Sequence, residues 1–368
     1  MEVGAVRHAD SRRDRRRRRK RFAQPGAARH HPRPVDALLD SARSALLRRR
    51  DLLARLHAEG TDCYRLLHGV AEGAPGVTVD RYGPLLLVQT FRAPLPGTAI
   101  DALGELVRAT VAADLLVAHH HRGAVPEPGF AWHQPTDAAL QEHVCTEAGM
   151  RFLVRARHRG QDPWLFLDLR AGRRVARELA PGRRVLNLFA YTCGVGVAAA
   201  VAGASRVLNV DFAASALEVG QRNAAANGID PARCTTLLSD CIPILRQLAG
   251  QPVQRRGKHL PYVRIEPQPF DLVVLDPPRF AQGRFGTVDV VHDYASLWKP
   301  CLRTLADGGS VLATNHVPDV DEADWHRALR RAADKAGRPL RSLTAVAVDD
   351  DFPSFDGRPP LKVALATV

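Results

Sequence analysis

The sequence predicts an α/β fold in which an open, mostly parallel sheet fills the C-terminal part of the chain. Apolar, strand-like segments alternate with helix-like ones from residue 184 onward, the order that parallel strands with helical crossovers produce. The last two apolar segments follow one another without a helix, so one strand should be antiparallel. The run from Val185 to Gly196 is an apolar strand that enters a glycine-containing loop, and an alanine-rich helix follows it. Strand, glycine turn and helix start together are typical of a site that binds a nucleoside cofactor.

This C-terminal domain is predicted over residues 151–368, and its elements follow from the periodicity of apolar residues. The predicted strands lie at 184–190, 206–211, 235–238, 270–275, 310–314, 341–348 and 361–367. The predicted helices lie at 171–179, 197–202, 213–226, 242–249, 293–306 and 321–336.

Three regions are predicted ahead of this domain. Residues 1–33 should form a disordered basic tail, because 11 basic and three acidic residues within the first 30 supply +8 of the net charge of +13. Such a tail could bind RNA phosphates or only keep the protein in solution. Residues 34–60 should form a basic segment of one or two amphipathic helices. Residues 61–150 should form a small α+β domain, with strands near 64–70, 77–83, 85–91 and 115–119 and a helix at 99–113.

The composition excludes several classes of protein. A hydrophobic content of 45% supports a packed core, while no apolar run is long enough to cross a membrane and none resembles a secretory signal. Six cysteines without a C-x-x-C pair indicate neither a zinc site nor a disulfide framework, so we expect reduced thiols in a cytoplasmic protein. The consecutive residues His119, His120 and His121 should alternate between strand faces, which disfavours a shared metal ion. No metal is expected.

Acidic residues follow three successive strands of the predicted sheet: Asp211, Asp240 and Asp276. The carboxyl ends of parallel strands line the ligand crevice of an open α/β sheet. Asp211 suits the two ribose hydroxyls of a nucleoside, and Asp240 suits the exocyclic amine of adenine. A helix N-cap is the structural alternative for any one of these acids. Three acids in register favour a nucleoside site.

The most specific motif is the run Asp276-Pro277-Pro278-Arg279-Phe280 at the end of the fourth strand. Two prolines fix the backbone and remove two N–H donors, which leaves carbonyl oxygens exposed beside the cofactor. The aromatic ring of Phe280 could stack on a planar base taken out of its helix. The structural alternative is a proline turn with a phenylalanine in the core.

The glycine loop lacks the G-x-G-x-x-G pattern of dinucleotide-binding proteins, and the Asp-Pro-Pro feature has no purpose in a nicotinamide enzyme. S-adenosylmethionine (SAM) fits better. Its sulfonium is already a good methyl donor, so the protein mainly has to align an acceptor and exclude water.

Four stretches of the sequence carry a resemblance to a known family: residues 65–83, 166–170, 185–228 and 270–280. Together they resemble class I SAM-dependent methyltransferases of the bacterial large-subunit rRNA methyltransferase I type. That group includes 23S rRNA cytosine-5 methyltransferases and the guanine-7 methyltransferase half of a fused rRNA enzyme. The resemblance extends from about Tyr64 to the C-terminus. It implies a Rossmann-like class I methyltransferase fold, with a seven-stranded sheet containing one antiparallel strand, SAM as cofactor and RNA as substrate.

The resemblance also assigns residues to the site. The residues implied at the methionine end of the cofactor are Asp168, Arg170, Asn187, Phe189, Tyr191, Thr192 and Gly194. Asp211 would hold the ribose, with Phe212 beside it in the cofactor site, and Asp240 and Cys241 would hold the adenine. The residues implied or inferred at the transfer site are Asp276, Pro277, Pro278, Phe280 and Asn315.

The sequence departs from this family at several positions. Leu169 stands where the family has Gln, Cys193 stands where Gly is common, and the basic tail stands in place of an RNA-binding PUA domain. The cytosine-5 enzymes carry a cysteine just after the fifth strand, because carbon 5 becomes nucleophilic only when a thiolate adds to the ring. Here that stretch has no cysteine, and its Asn315 and His316 resemble the Asn-containing stretch of the guanine-7 relatives. A nitrogen acceptor is therefore predicted, since its lone pair needs only positioning and, at most, proton removal.

The predicted function is SAM-dependent methyl transfer to a base of RNA, with ribosomal RNA as the expected partner and with neither a membrane nor a metal involved. Two alternatives remain: a methyltransferase acting on protein or small molecules, and a catalytically inactive RNA-binding relative. The sequence makes no prediction for the oligomeric state.

Overall fold

The structure of the protein, a computed structural model, describes residues 35–124, 128–157, 162–253, 263–283 and 286–368, with side chains described outside 280–287. The predicted basic tail lies outside the described residues. Residues 33–368 form one compact unit.

The first part of this unit is a four-stranded sheet covered by two helices. Its strands are β1 (Cys63–His68), β2 (Val77–Tyr82), β3 (Leu85–Thr90) and β4 (Leu116–His121), in the order β1-β2-β3-β4, and β3 and β4 run parallel. The helices are α1 (Val35–Ala58) and α2 (Gly97–Thr110). Their apolar faces pack on the sheet through residues such as Leu38, Leu56 and Leu103. The region predicted as one or two helices is one continuous helix.

A β-hairpin joins this sheet to the C-terminal part and was missed in the sequence. After the short helix α3 (Asp137–Leu140), strands β5 (Glu142–Glu147) and β6 (Met150–Arg155) pair antiparallel. The predicted domain boundary at 150/151 therefore falls inside this hairpin, at the start of β6. On its other side, the backbone of β6 donates hydrogen bonds to the side chains of Asn223 and Asn227 and accepts one from Asn227. The hairpin therefore packs against the domain that follows it.

The C-terminal part is built on a seven-stranded sheet. Its strands are β7 (Arg184–Leu188), β8 (Arg206–Asp211), β9 (Cys234–Leu238), β10 (Phe270–Leu275), β13 (Leu305–Asn315), β14 (Ser342–Val346) and β15 (Lys362–Thr367). A small hairpin, β11 (Phe280–Gly283) with β12 (Gly286–Asp289), follows β10. The helices are α4 (Arg170–Leu179), α5 (Gly194–Val201), α6 (Ala214–Ala226), α7 (Cys241–Leu248), α8 (Ala295–Thr304) and α9 (Glu322–Lys335). These elements confirm the predicted alternation of strands and helices.

The strand order of this sheet positions the site. The order is β14-β15-β13-β10-β7-β8-β9, in which β15 is antiparallel to both of its neighbours, as the sequence predicted. The direction of winding reverses between β7 and β10, which are adjacent and parallel. Ligands of open α/β sheets bind at such a switch point, at the carboxyl ends of the strands. The loop after β7 and the residues after β10 both lie there.

Both faces of the central strands are buried, which explains their continuous apolar sequences. Along β10, Leu272 and Val274 pack into one core while Val273 and Leu275 pack into the core on the opposite face. Among the described residues, no helix is both long and apolar enough to span a bilayer.

Buried charges join the first part of the chain to the last. Asp351 is 0% exposed, and its carboxylate accepts hydrogen bonds from the backbone N–H of Arg65 and from the guanidinium of Arg170. Nearby, Arg49 pairs with Glu72 and also donates to the carbonyl of Asp351. Because every one of these charges has a partner, the network can be buried without leaving an isolated charge.

Candidate active site

The loop that follows β7 has an unusual backbone. Phe189, Tyr191 and Cys193 have φ angles of 56°, 47° and 60°, the left-handed region that non-glycine residues rarely adopt. Each such residue costs about 1–3 kcal/mol and persists only where its surroundings hold it. Here Tyr191 N–H donates to Asp211 Oδ2 at 2.8 Å, and Phe189 N–H contacts Cys241 Sγ at 3.2 Å. A loop held in this way, at a switch point, is the expected form of a ligand cradle.

The conformation of Cys193 explains why glycine is common at this position in the family that the sequence resembles. A left-handed residue with a side chain needs room for it, and the thiol is buried against α6. A Cβ on Gly220 of that helix would lie 2.4 Å from Cys193 Sγ, so Gly220 provides that room.

A cavity opens beside this loop and is lined by most of the residues predicted for the methionine end of the cofactor. The predicted residues that line it are Asn187, Phe189, Tyr191, Thr192, Gly194 and Asp276. The other lining residues, which the sequence analysis did not assign to the site, are Trp164, Leu165, Phe166, Leu169, Arg173, Ala190 and Val195. The rings of Phe166 and Tyr191 lie 5.4 Å apart. The cavity therefore combines aromatic walls with polar side chains and one carboxylate.

The floor of the cradle depends on a glycine. Asn187 Nδ2 donates to Asn209 Oδ1 at 2.9 Å, and both side chains are buried. A Cβ on Gly196 would lie 1.9 Å from that same Oδ1. The second glycine of the loop motif thus allows α5 to approach β8 closely.

The predicted ribose and adenine residues lie around the outside of the cradle. Asp211 is 5% exposed, and its two oxygens accept from the backbone N–H groups of Tyr191 and Ala213. Burial raises the pKa of Asp211 above its ordinary value. Phe212 is 61% exposed. Asp211 is thus held in place by the loop that would face the ligand.

Asp240 acts as the N-cap of α7, since its Oδ1 accepts from Ile242 N–H at 2.9 Å. Asp240 is therefore a helix N-cap, the structural alternative that the sequence offers for an acid at a strand end. Cys241 is buried and donates to the carbonyl of Val210, which places its thiol under the loop rather than in the cavity.

Of the two charged residues assigned from the 166–170 motif, one lies near the transfer site and one does not. Asp168 is half-buried; burial raises its pKa, and the charges that act on it include those of His316 and Asp276. Arg170 is 1% exposed and binds Asp349, Asp351 and the carbonyl of Cys63. The resemblance implied that Arg170 binds the cofactor, but its guanidinium is directed into the buried charge network instead.

The structure places three polar side chains at the ends of β10 and β13. Asp276 Oδ1 accepts from His316 Nε2 at 2.8 Å and from the hydroxyl of Thr314. Burial opposes both charges, yet the imidazole lowers the pKa of Asp276, and Asp276 and Asp168 raise the pKa of His316. The sequence indicates His316 only as part of the stretch after the fifth strand, and it gives no sign that Thr314 belongs to the site.

The other residues predicted at the transfer site are less well placed for contact with a ligand. Pro277 is buried and Pro278 exposed, and the side chain of Phe280 lies outside the described residues, so its predicted stacking role stays a prediction. Asn315 is 0% exposed; its Oδ1 accepts from Val317 N–H, and its Nδ2 has no partner among the described residues. The polar side chain that contacts Asp276 is that of His316, the residue after Asn315.

All six cysteines lie within the described residues, and all are buried and free. Burial raises the pKa of Cys193, Cys241 and Cys301 above the ordinary value of a thiol. A buried thiol with a raised pKa is a poor nucleophile, because the thiolate is the reactive form.

Two of the three consecutive histidines of β4, His119 and His121, contact the same hydroxyl group. The hydroxyl of Thr90 lies 2.9 Å from His119 Nε2 and 2.8 Å from His121 Nδ1. Across the described residues, no group of three or more His, Cys, Asp or Glu side chains could hold a metal ion.

The sheet topology and the strained cradle define a Rossmann-like protein that binds a nucleoside cofactor. A family model described as S-adenosylmethionine-dependent methyltransferase matches residues 64–365. The chain therefore belongs to the SAM-dependent methyltransferase family, and it is an enzyme that uses SAM as its cofactor.

Curated relatives are similar to this chain over most of its length. The chain is 28% identical over 302 residues to "Ribosomal RNA large subunit methyltransferase I" of Aeromonas hydrophila, covering 80% of this chain and 71% of that protein. It is 27% identical over 317 residues to the protein of the same name in Cronobacter sakazakii, covering 84% and 74%.

Solved structures confirm the fold. A methyltransferase in complex with SAH superposes with a TM-score of 0.73 at 21% identity, covering 92% of this chain and 83% of that one. A SAM-dependent methyltransferase from Agrobacterium tumefaciens superposes with a TM-score of 0.56 at 16% identity, covering 84% and 90%.

Proposed function

We propose that this enzyme methylates a nitrogen atom of a base in RNA, with ribosomal RNA as its substrate. The relatives named as ribosomal RNA methyltransferases support the substrate class. The pairing of Asp276 with His316 carries the choice of a nitrogen atom, because it occupies the place where a cytosine-5 enzyme would need a cysteine. The predicted cytoplasmic location is compatible with such a substrate.

The cradle suits the cofactor in its chemistry. The carboxylate of Asp211 would bind the nucleoside portion, while Asn187, Thr192 and Asp276 would surround the methionine portion. When bound, SAM supplies an electrophilic methyl group. The protein's part is to bring the acceptor into line with that methyl group and to keep water out.

The acceptor side lacks a group that could activate a carbon atom. Carbon 5 of cytosine requires covalent addition of a thiolate to the ring, and every cysteine of the chain is buried. A ring nitrogen or an exocyclic amine already has electron density to donate. The acceptor therefore needs alignment and, where it carries hydrogen, a path for the proton it loses.

Asp276 and His316 can supply both functions. The lowered pKa of Asp276 keeps it a carboxylate, which can accept a hydrogen bond from an N–H of the base. In the neutral form of His316, the contact with Asp276 assigns the ring proton to Nε2 and leaves Nδ1 to accept. The raised pKa of His316 makes Nδ1 a stronger base, so the proton released on methylation can pass to it.

The test also distinguishes the proposed function from two others. Asp-Pro-Pro followed by an aromatic residue could position a planar nitrogen group of a protein or small molecule, and an inactive relative could bind RNA without modifying it. Purified enzyme is incubated with labelled SAM and either unmodified ribosomal RNA, ribosomal protein or RNA-free cell extract. Label in an N-methylated nucleoside, identified by mass spectrometry, is the expected result, and 5-methylcytosine would contradict it.

The matched variants are Asp276→Asn and, as a control, Asp307→Asn. The side chain of Asp307 is 94% exposed and lies near the amino end of β13, the opposite end from Thr314. Loss of a positioned catalytic hydrogen-bond partner costs about 10²–10³ in rate. We expect that loss for Asp276→Asn with SAM binding largely retained, and none for Asp307→Asn. Equal rates for the two variants would remove Asp276 from the mechanism.

A further inference from the structure

We propose that a second cavity, at the carboxyl end of β4, binds a nucleotide of the RNA that adjoins the methylated base. This inference rests on the proposed RNA substrate and adds a binding site to it. The cavity has a volume of about 530 Å³, is open to solvent, and is lined by His120, His121, Trp132, His133 and Arg157 among others. Its size is within the range of small-molecule sites, so it can admit a nucleotide.

Aromatic rings form one wall of this second cavity. Trp132 is half-buried, and the ring of Phe130 meets it edge-on at 4.9 Å. The imidazoles of His119 and His121 each lie 5.8 Å from the indole. These contacts hold a large, partly exposed π-surface in a fixed position. Such surfaces stack with nucleobases regardless of sequence.

Arg157 supplies a cation at the same cavity. Arg157 is exposed and donates to the carbonyl of His119, and within the described part of the chain no carboxylate forms an ion pair with it. Across the cavity, His133 is held by Asp101 at 2.9 Å. A guanidinium placed in this way is a suitable partner for a phosphate.

A chain of contacts connects the second cavity with the cofactor cavity. Arg122, which follows His121, donates to Asp162 Oδ1 at 3.2 Å. The carbonyl of Asp162 in turn accepts from the hydroxyl of Tyr191 at 3.5 Å, and Tyr191 lines the cofactor cavity. The guanidinium of Arg122 also lies 5.3 Å from the exposed ring of Phe91. Cationic and aromatic groups therefore extend from the second cavity towards the transfer site.

This combination favours RNA over the other anionic partner, an acidic peptide. A peptide carboxylate could bind Arg157, but it has no use for the indole and imidazole rings beside it. A nucleotide uses both parts of the cavity, because its phosphate pairs with the guanidinium and its base stacks on the ring. The histidine run, which the sequence indicated only as an ordinary strand end, thereby gains a role in binding.

The test uses full-length enzyme with three variants: Trp132→Ala, Trp132→Phe and Arg157→Gln. Binding of unmodified ribosomal RNA is measured by filter retention over a range of salt concentrations, and methyl transfer gives KM and kcat. Affinity for SAM and the circular dichroism spectrum show that each variant is folded. Because Arg157 is exposed, Arg157→Gln should fold normally and tests the cavity even if Trp132→Ala is unstable.

We expect Trp132→Ala to weaken RNA binding by about 5- to 150-fold, the loss of one base stack, and Trp132→Phe to retain most of the affinity. Arg157→Gln should reduce the slope of log affinity against log salt by about 1. Both changes should raise KM for RNA more than they lower kcat. Unchanged RNA affinity and KM in Trp132→Ala and Arg157→Gln, with methylation of RNA by the wild type intact, would overturn the second cavity alone. Binding of an acidic peptide that Arg157→Gln abolishes, with no RNA bound by the wild type, would overturn this inference together with the RNA substrate.

Discussion

Arg170 and Asp351 form a buried, two-bonded ion pair although 181 positions separate them in the chain. Arg170 Nη1 lies 3.1 Å from Asp351 Oδ1, and Arg170 Nη2 lies 3.0 Å from Oδ2. Asp351 also accepts from the backbone of Arg65, so one carboxylate joins the first β-strand, the start of α4 and the segment before β15.

Replacement of Asp351 should therefore destabilise the whole compact unit. Asp351→Ala leaves the buried guanidinium of Arg170 with one partner fewer, and breaking a buried pair costs about 3–5 kcal/mol. Urea denaturation followed by circular dichroism measures the loss. The control is Asp350→Ala, since Asp350 is 84% exposed and lies 3.7 Å from Arg55, and this change should cost less than about 1 kcal/mol. Similar stabilities for the two variants would show that the network contributes little.

Replacement of His316 by Gln should affect stability in a pH-dependent way. The pKa of His316 is raised above 6.5, so its contribution is complete below 6.5 and is lost as pH rises through the raised pKa. The pKa of Asp276 is lowered below 3.8, so its contribution is complete above 3.8 and is lost as pH falls through the lowered pKa. The pair is therefore strongest between these two ordinary values.

Urea denaturation of wild type and His316→Gln at pH about 5.5 and about 9 measures this effect. Because a third of the His316 side chain is exposed, we expect a difference of about 1–2 kcal/mol at the lower pH and a smaller one at the higher pH. The methyl transfer rate of the wild type should rise with pH through the raised pKa, and the variant should lose this rise. A difference in stability that grows towards high pH would contradict the ion pair.

The six thiols should be unreactive in the native enzyme. All six are buried, and the reaction with a disulfide reagent such as DTNB requires an accessible thiolate. We expect slow labelling of the folded protein, six labelled thiols in denaturant, and methyl transfer that persists after treatment with iodoacetamide. Rapid modification of one cysteine with loss of activity would instead indicate a thiol nucleophile and a carbon acceptor.

Gly196 and Gly194 should respond differently to the same substitution. In Gly196→Ala the new methyl group would overlap the buried Asn209, so the protein should lose about 1–3 kcal/mol or more. In Gly194→Ala the methyl group would lie 3.5 Å from Leu165, an ordinary contact, but inside the cofactor cavity. That variant should remain stable and bind SAM more weakly. Urea denaturation and calorimetric titration with SAM separate the two effects.

Much of the fold could be predicted because local patterns and topology agree. The buried strand β10 carries a continuous apolar run, and the absence of a helix before β15 revealed the antiparallel strand. The sequence does not reveal the hairpin of β5 and β6, because His143 and Glu147 interrupt the apolar alternation of β5. Its pairing depends on the domain packed beside it, which a local pattern does not contain.

The candidate site was predictable where a residue's role follows from its place on the sheet. Asp211 and Asp276 stand at strand ends, and the structure puts both at the cradle. Arg170 was misplaced because its partners Asp349 and Asp351 are remote in sequence. Thr314 and His316 have no motif of their own, and only the alignment of β13 beside β10 brings them to Asp276.

The position of β15 has a consequence for how the enzyme is made. This strand comprises residues 362–367 and is inserted between β13 and β14, pairing with both. A nascent chain that has emerged only as far as β14 has no partner for that strand, and the edge of β13 stays open to other chains. Folding during synthesis can therefore complete the cofactor cradle of β7 and β8 early but can close the sheet only late. A chain truncated before residue 362 would therefore leave the edges of β13 and β14 open and be prone to aggregate.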